Sequence, residues 1–301
     1  MTLEKKFINK FENNLKTNIK LSNYSWFNLG GSAEYFYKAR DKDQLKEFLK
    51  EAKKNKLKTT ILGAGSNILF RDKGVEGVVI KLGSNFSYTK LLEKDTIVAG
   101  AATLDRKVAS FAKTNSLGNL EFLSCIPGSI GGAIIMNSGC YENDISRVLL
   151  SIRAIDKNNL SEIEIKKDDI KFFYRGTNLS NDLIIISAKF QGSIKKKEEI
   201  EKRQSDFNER KKLSQPSQIK TCGSTFKNIN NDKKAWMLIK QSGCENYHEG
   251  DAVISQKHCN FFVNNGNAKA SDIEKLIKKV KNKVLEKTGI NLELEIKIIG
   301  E

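Results

Sequence analysis

The chain has 301 residues, 39% of them hydrophobic, with 16 Phe, 7 Tyr and 2 Trp, which is enough apolar material for real cores and excludes a disordered chain. The formal net charge is +16, but the lysines are spread along the sequence and no nucleic-acid-binding signature accompanies them. A solvated lysine-rich surface is therefore expected, with no nucleic acid partner, although the charge helps bring small polyanions to a site. No apolar run approaches the ~20 residues that span a membrane, and the opening MTLEKKFINKFENNLK lacks the apolar centre of a signal peptide, so a cytoplasmic protein off the membrane is expected. Five cysteines without a CxxC pair, and His248 and His258 without ligand-spaced neighbours, exclude a disulfide framework and a zinc pattern; no metal is expected.

In chain order, Phe7, Phe11 and Leu15 predict a short basic amphipathic helix within residues 1–22. A strand is expected over residues 35–39. A helix follows over 43–56, with Leu45, Phe48, Leu49 and Ala52 on one face. KTTIL at 58–62 reads as a strand running straight into Gly63-Ala64-Gly65-Ser66-Asn67. No helix opens on these glycines; a turn at Asp72-Lys73-Gly74 and β-type Val78-Val79-Ile80 come next. The loop is thus a strand–loop–strand backbone nest for an anion, unlike the strand–loop–helix of dinucleotide folds.

TIVAGAA predicts a strand from Thr96, and Leu104, Val108, Phe111 and Ala112 mark a helix ending near Gly118. The stretch from Gly118 to Tyr141 admits two readings. One is a buried, tightly turned connection; the other is a loop whose bare N–H groups close on a pyrophosphate. Pro127-Gly128, Ser129 and Gly131-Gly132 suit the second, since proline fixes the approach and small residues let a ligand come near. VLLSIRAID, SEIEIKK and LIIISAKF supply further strands, and the charged helix 195–212 reads as a link to a second domain. That domain has short β segments and two helices. The last helix is expected to start with Ser271 as N-cap and Glu274 as its capping-box partner, to bury Ile273, Leu276, Ile277, Val280 and Val284, and to stop at Gly289. In the closing INLELEIKIIGE, Leu292, Leu294, Ile296 and Ile298 take one face of a strand, and Glu293, Glu295 and Lys297 the other.

GAGSNILFRD at 63–72, LEFLSCIPGSIGGAIIMNSG at 120–139 and SWFNLGG at 25–31 together resemble the UDP-N-acetylenolpyruvoylglucosamine reductase family, and the resemblance runs from about Asn23 to the end. It implies an α+β fold: a PCMH/vanillyl-alcohol-oxidase-type FAD-binding domain over 23–193, with α/β lobes at about 23–84 and 85–193, and a smaller C-terminal α/β substrate-binding domain over 194–301. It implies noncovalent FAD held by Gly63, Ala64, Gly65, Ser66, Asn67, Ile126, Pro127, Gly128, Ser129, Gly131 and Gly132. NADPH would be the hydride donor, UDP-N-acetylglucosamine enolpyruvate the substrate, and no obligate protein partner is implied. With no long insertion after Arg175, the chain resembles the family's shorter subtype.

Three further places match the family pattern. Alone, Arg175 reads as a surface or salt-bridging arginine; the resemblance makes it catalytic, holding the enolpyruvyl carboxylate and the enolate with a planar, permanent charge. Its neighbour Tyr174 would touch substrate. In TCGSTFKN, Ser224 would protonate the substrate carbanion and Asn228 would contact substrate, although Ile229 stands where the family commonly has proline. Cys222 is a rival acid, about 6–7 Å from Ser224 along an extended segment. Glu295 reads from periodicity as a solvent-facing carboxylate; the resemblance makes it the catalytic glutamate, placed to share a proton with the developing enol. Another flavoprotein of the same fold class, such as an oxidase, is an alternative. Histidine-linked flavin is disfavoured, because both histidines lie beyond residue 245.

Overall fold

The apolar residues collect into two cores, each inside its own unit. The computed structural model describes residues 5–230 and 232–301; one unit takes residues 5–16, 36–64 and 77–211, the other 17–35, 65–76 and 212–301.

In the first unit, the helix Lys5–Phe11 carries Phe7 and Phe11 onto Phe48 of the helix Lys42–Lys54. Tyr37 stacks on Phe48 with ring centroids 3.7 Å apart. The expected helix over 1–22 is shorter: Leu15 already belongs to the strand Leu15–Lys20, and residues 1–4 lie outside the described residues. The helix ends because Asn14 passes its carbonyl to the N–H of Lys38, drawing the chain into the sheet. Thr59–Leu62 pairs in parallel with Val75–Leu82, as the strand–loop–strand reading requires. The larger part of this unit is a five-stranded antiparallel sheet, in the order Glu162–Lys166, Leu149–Asp156, Leu183–Gln191, Thr96–Gly100, Thr89–Glu93. The helix Asp105–Thr114 and the Gly118–Tyr141 stretch share one core with it, through Val108, Leu123, Ile130, Ile134 and Ile152.

The helix Lys197–Ser214 was expected only to link domains. It lays Phe207 into this first core and stacks it on Tyr141 at 5.2 Å, so residues up to Lys211 pack with the first unit.

The second unit is built on the helix Ala270–Thr288. Its buried stripe is the expected Ile273, Leu276, Ile277, Val280 and Val284, and Gly289 closes it at φ 69°. A three-stranded antiparallel sheet, His248–Glu249, Ala252–Ile254 and Phe262–Asn264, packs with it. Phe27, Leu29 and Leu69 bury in this same core, so SWFNLGG packs with the second unit although the sequence places it in the flavin lobe. The closing strand is also shorter than its alternation suggests. Leu294 forms a single bridge with Phe226, the chain bends at Ile296, and only Lys297–Ile299 pairs, in parallel with Ile68–Phe70.

The helix Ala270–Thr288 begins before the expected Ser271 N-cap, because a remote residue caps it. Asp72 accepts the N–H groups of Ala270 at 2.8 Å and Ser271 at 2.9 Å. Asp272 reaches back to the N–H of Lys269, and Glu274 instead forms a two-toothed pair with Arg71 at 2.9 and 3.1 Å. Burial raises the Asp72 pKa, but the N–H groups of Ser271 and Ala270 and the charge of Lys269 outweigh it and leave the carboxyl below its usual value. A depressed carboxylate stabilises the fold above its unfolded pKa and loses that contribution as pH falls through the folded value. Asp72→Ala is expected to cost about 1 kcal/mol at neutral pH. In urea melts the gap from the parent should close as pH drops below about 4; a gap that persists in acid rules out the charged cap.

Candidate active site

The Gly118–Tyr141 stretch belongs to the first unit, whereas the loop 63–67 starts there and continues into residues of the second. The stretch from Gly118 is neither plain loop nor plain turn: Glu121–Cys125 is a 3₁₀ turn, and Ile130–Ile135 is a short helix that includes Gly131 and Gly132. Proline at 127 and the pairing of Leu104 with Ser129 set its path. Asp105 N–H donates to Gly128 O at 3.2 Å, Ile130 N–H to Thr103 O at 2.9 Å and Gly131 N–H to Ala101 O at 2.9 Å. Gly63, at the end of Thr59–Leu62, lies beside this segment; a Cβ on Gly63 would sit 3.0 Å from Ser129 Oγ.

Among the described residues, the N–H groups of Ala64, Gly65, Ser66 and Asn67, and of Gly128, Ser129 and Gly132, have no protein acceptor. Ser129 is buried and Gly132 exposed, and open donors next to small side chains can receive a phosphate-bearing ligand. A cation that sequence reasoning missed stands beside them. Lys81 Nζ donates to Gly63 O at 2.6 Å, and burial, with the nearby Lys38 charge, holds its pKa below the usual lysine value. Its only trace in the sequence is a lysine at the end of the apolar strand VVIKL.

The glycines differ in why they are glycine. Gly65 adopts φ 73°, and a Cβ there would come within 1.8 Å of Tyr24 O, so the chain itself forbids a side chain. Gly131 N–H is taken by Ala101, and a Cβ would lie 3.3 Å from Ala101 Cβ. Gly132 is different. Its N–H is open and the nearest atom to a Cβ is Ser129 Oγ at 3.9 Å. Gly132 is exposed, so a side chain there would meet open space rather than the protein.

Tyr174 and Arg175 form the two-residue turn of a hairpin between Phe172–Phe173 and Gly176–Thr177. Arg175 sits at φ 56°, which non-glycine residues seldom adopt, and such strain clusters at functional sites. Its guanidinium donates to Gly139 O at 2.8 Å and lies 5.0 Å over the Tyr174 ring. Asn137 Nδ2 donates to Phe173 O at 3.1 Å. The same segment that offers the open N–H groups therefore holds the arginine hairpin. Tyr174 is exposed, with Arg175 over one face of its ring.

In the second unit, Gly223 turns at φ 80° with nothing near its Cβ position, and Ser224 bridges to Phe261. Thr225 N–H donates to Asn260 O at 2.8 Å, and Glu295 N–H donates to Thr225 O at 2.9 Å. Ser224 and Glu295 are thus held on neighbouring segments. Asn67, expected at the flavin, donates through Nδ2 to Glu295 O at 3.0 Å. Asn228 accepts the Ala235 N–H at 3.1 Å, which commits its oxygen to the start of the helix Ala235–Gln241.

Cys222, the alternative acid, packs inside the second unit. It is buried, its thiol donates to Ile68 O at 3.3 Å, and burial pushes it up to about 11. Among the described residues no cluster of His, Cys, Asp and Glu could hold a metal, and no helix is long and apolar enough to cross a membrane.

Residues 33–159 match the FAD binding domain family, which together with the open backbone donors defines a flavoprotein class. Residues 215–299 match the family described as UDP-N-acetylenolpyruvoylglucosamine reductase, C-terminal domain. The chain is 47% identical to a protein of that name from Pelagibacter ubique, covering 98% of both chains, and 42% identical to one from Orientia tsutsugamushi, covering 97% of this chain and 96% of the relative. The solved UDP-N-acetylenolpyruvylglucosamine reductase of Thermus caldophilus superposes with a TM-score of 0.82 at 28% identity, over 95% of this chain and 98% of that one. The chain belongs to the UDP-N-acetylenolpyruvoylglucosamine reductase family.

Gly132→Val and Gly65→Val separate a ligand role from a folding role. Gly132→Val should strip flavin from the purified protein while costing little thermal stability, whereas Gly65→Val should lower the melting temperature of the flavin-free protein as well. A Gly132→Val protein that keeps its full visible flavin absorption would misplace the loop.

Proposed function

We propose that the chain is an NADPH-dependent, FAD-containing oxidoreductase that reduces UDP-N-acetylglucosamine enolpyruvate to UDP-N-acetylmuramate in bacterial peptidoglycan precursor synthesis. The observation that carries this reading is the near-complete coverage of reductases bearing that name, on a fold whose two small-residue loops leave a set of backbone donors open. FAD, when bound, supplies hydride relay from NADPH to the enolpyruvyl carbon. The chain's own residues do the rest. Gly128, Ser129 and Gly132 offer N–H groups to the pyrophosphate, and Lys81, bonded to Gly63 O, adds charge. Both loops carry small side chains that let the backbone approach.

Arg175 holds the substrate carboxylate and the negative charge that develops on it; its fixed fork, pinned by Gly139 O, is supported by the strained turn at φ 56°. Ser224 supplies the proton to the carbon next to that carboxylate. Glu295, on the adjoining segment, stabilises the enol and tunes the acid. Substrate also meets Tyr174 and the Asn228 amide. The five unpaired thiols and the pyridine-nucleotide and UDP-sugar substrates suit a reducing cytoplasm, and small molecules are the only partners the reading needs.

The test is the visible spectrum of the purified protein. Flavin absorption should be bleached by NADPH and restored by the enolpyruvyl sugar. Ser224→Ala should bleach normally but regain colour about 10²–10⁴-fold more slowly. Arg175→Lys should slow the sugar step far more than the NADPH step, since lysine keeps the charge but loses the fork. A protein that bleaches and is never reoxidised by the sugar is a different flavoprotein. Cys222→Ala should leave reoxidation within about twofold, because a buried thiol bonded to a carbonyl is a packed neighbour rather than an acid; a stalled Cys222→Ala enzyme with a normal Ser224→Ala enzyme would move the acid to Cys222.

A further inference from the structure

Ser224 has no support from its own segment. Thr221–Asn228 is not a strand of any sheet; it lies between the chain at 260–262 and the chain at 293–295. At its centre Phe226 is completely buried, so both its backbone polar groups need partners. One side chain provides both. Asn260 Oδ1 accepts the Phe226 N–H at 2.9 Å, and Asn260 Nδ2 donates to Phe226 O at 2.8 Å. Asn260 is itself 2% exposed, its carbonyl takes the Thr225 N–H at 2.8 Å, and its N–H donates to His258 Nδ1 at 3.3 Å.

We infer that Asn260 is the positioning residue of the proton donor: its amide stands in for a neighbouring strand, clasping Phe226 and thereby fixing Ser224 and Asn228 on either side. The inference rests on the reading of Ser224 as the acid. The chemistry selects asparagine. A planar amide carries one donor and one acceptor side by side, matching the paired N–H and C=O of one residue. Leucine of similar size offers neither, and aspartate offers no donor unless protonated. Removing the clasp leaves two buried backbone groups unpaired, so the segment must shift to recover partners. Displacement of about 1 Å at a reacting group costs on the order of 10²-fold in rate. Sequence alone gives Asn260 no prominence, since asparagine in HCNFFVN reads as a turn or surface residue.

The experiment uses the flavin-loaded enzyme and follows the two half-reactions of Asn260→Ala and Asn260→Asp by stopped-flow absorbance. Flavin bleaching by NADPH should stay within about twofold of the parent, while recovery of colour on adding the enolpyruvyl sugar should slow by at least about tenfold. Asn260→Asp carries a second signature. A buried aspartate titrates above its usual range, and its protonated form regains a donor for Phe226 O. Its recovery rate, divided by the parent's at each pH, should therefore rise as pH falls. His258 beside Asn260, and Glu293, Glu295 and Lys227 on or next to the clasped segment, are present in both proteins, so each rate is compared with the parent's at the same pH.

Equal loss of both half-reactions in both variants overturns the inference, because it marks a general role in folding. Normal sugar-driven recovery in both variants, with Ser224→Ala slow, also overturns it and leaves Ser224 as the acid. Normal recovery in Ser224→Ala overturns the acid assignment itself, whatever Asn260 does.

Discussion

Three backbone hydrogen bonds hold the flavin unit's business end in place. Asp105 N–H to Gly128 O, Ile130 N–H to Thr103 O and Gly131 N–H to Ala101 O tie the proline–glycine segment to the end of the strand Thr96–Gly100 and the start of the helix Asp105–Thr114. Those bonds use the N–H groups of 130 and 131, and the neighbouring donors of 128, 129 and 132 have no protein acceptor among the described residues. Everything downstream inherits this path. The short helix Ile130–Ile135 leads to Asn137 and Gly139, and those two residues grip the hairpin that carries Arg175. The 128–132 segment and the Arg175 hairpin are thus set by one continuous stretch of chain.

That arrangement tolerates an unusual burial. Asp105 is completely inside, both carboxylate oxygens lack partners, and Oδ2 would lie 2.5 Å from a Cβ on Gly128. Burial drives its carboxyl well above the usual range, because no partner offsets the cost of burying the anion. The small residue at 128 is required by this carboxyl as much as by any ligand. Glu121 is also buried, with one oxygen unpaired, and a Cβ on Gly118 would come 3.1 Å from it. Glycines in this stretch therefore answer to two kinds of neighbour.

In the second unit the organising element is borrowed from far along the chain. Asp72 and Arg71, in the turn after Ile68–Phe70, cap and pair with the first turn of the helix Ala270–Thr288, whose stripe fills the core under the Ser224 segment. Each bond is modest and at most partly buried, but together they fix where the helix begins. The Ser224 segment itself is gripped by backbone on both sides and clasped by one buried amide. It has the rigidity of a strand without belonging to a sheet.

Much of this was determined by the sequence alone. Apolar spacing set the buried stripes of the helices Lys42–Lys54 and Ala270–Thr288, because a 3.6-residue period reports which face leaves water. The absence of a helix after Gly63 to Asn67, the αL stop at Gly289 and the motifs around Arg175, Ser224 and Glu295 were equally legible, since each depends on residues adjacent in the chain. What tertiary structure alone decided depends on partners far apart in sequence. Periodicity says that Phe27 and Leu29 are buried but not in which core; it gives Ser271 a local cap but cannot see Asp72; it extends a strand through Glu295 that bends at Ile296 to change partners. Gly65 is glycine because of the carbonyl of Tyr24, and Asn260 is asparagine because both polar groups of Phe226 face it. Burial is a property of one residue and its period, whereas a hydrogen bond or a steric limit belongs to a pair, and folding alone brings the pair together.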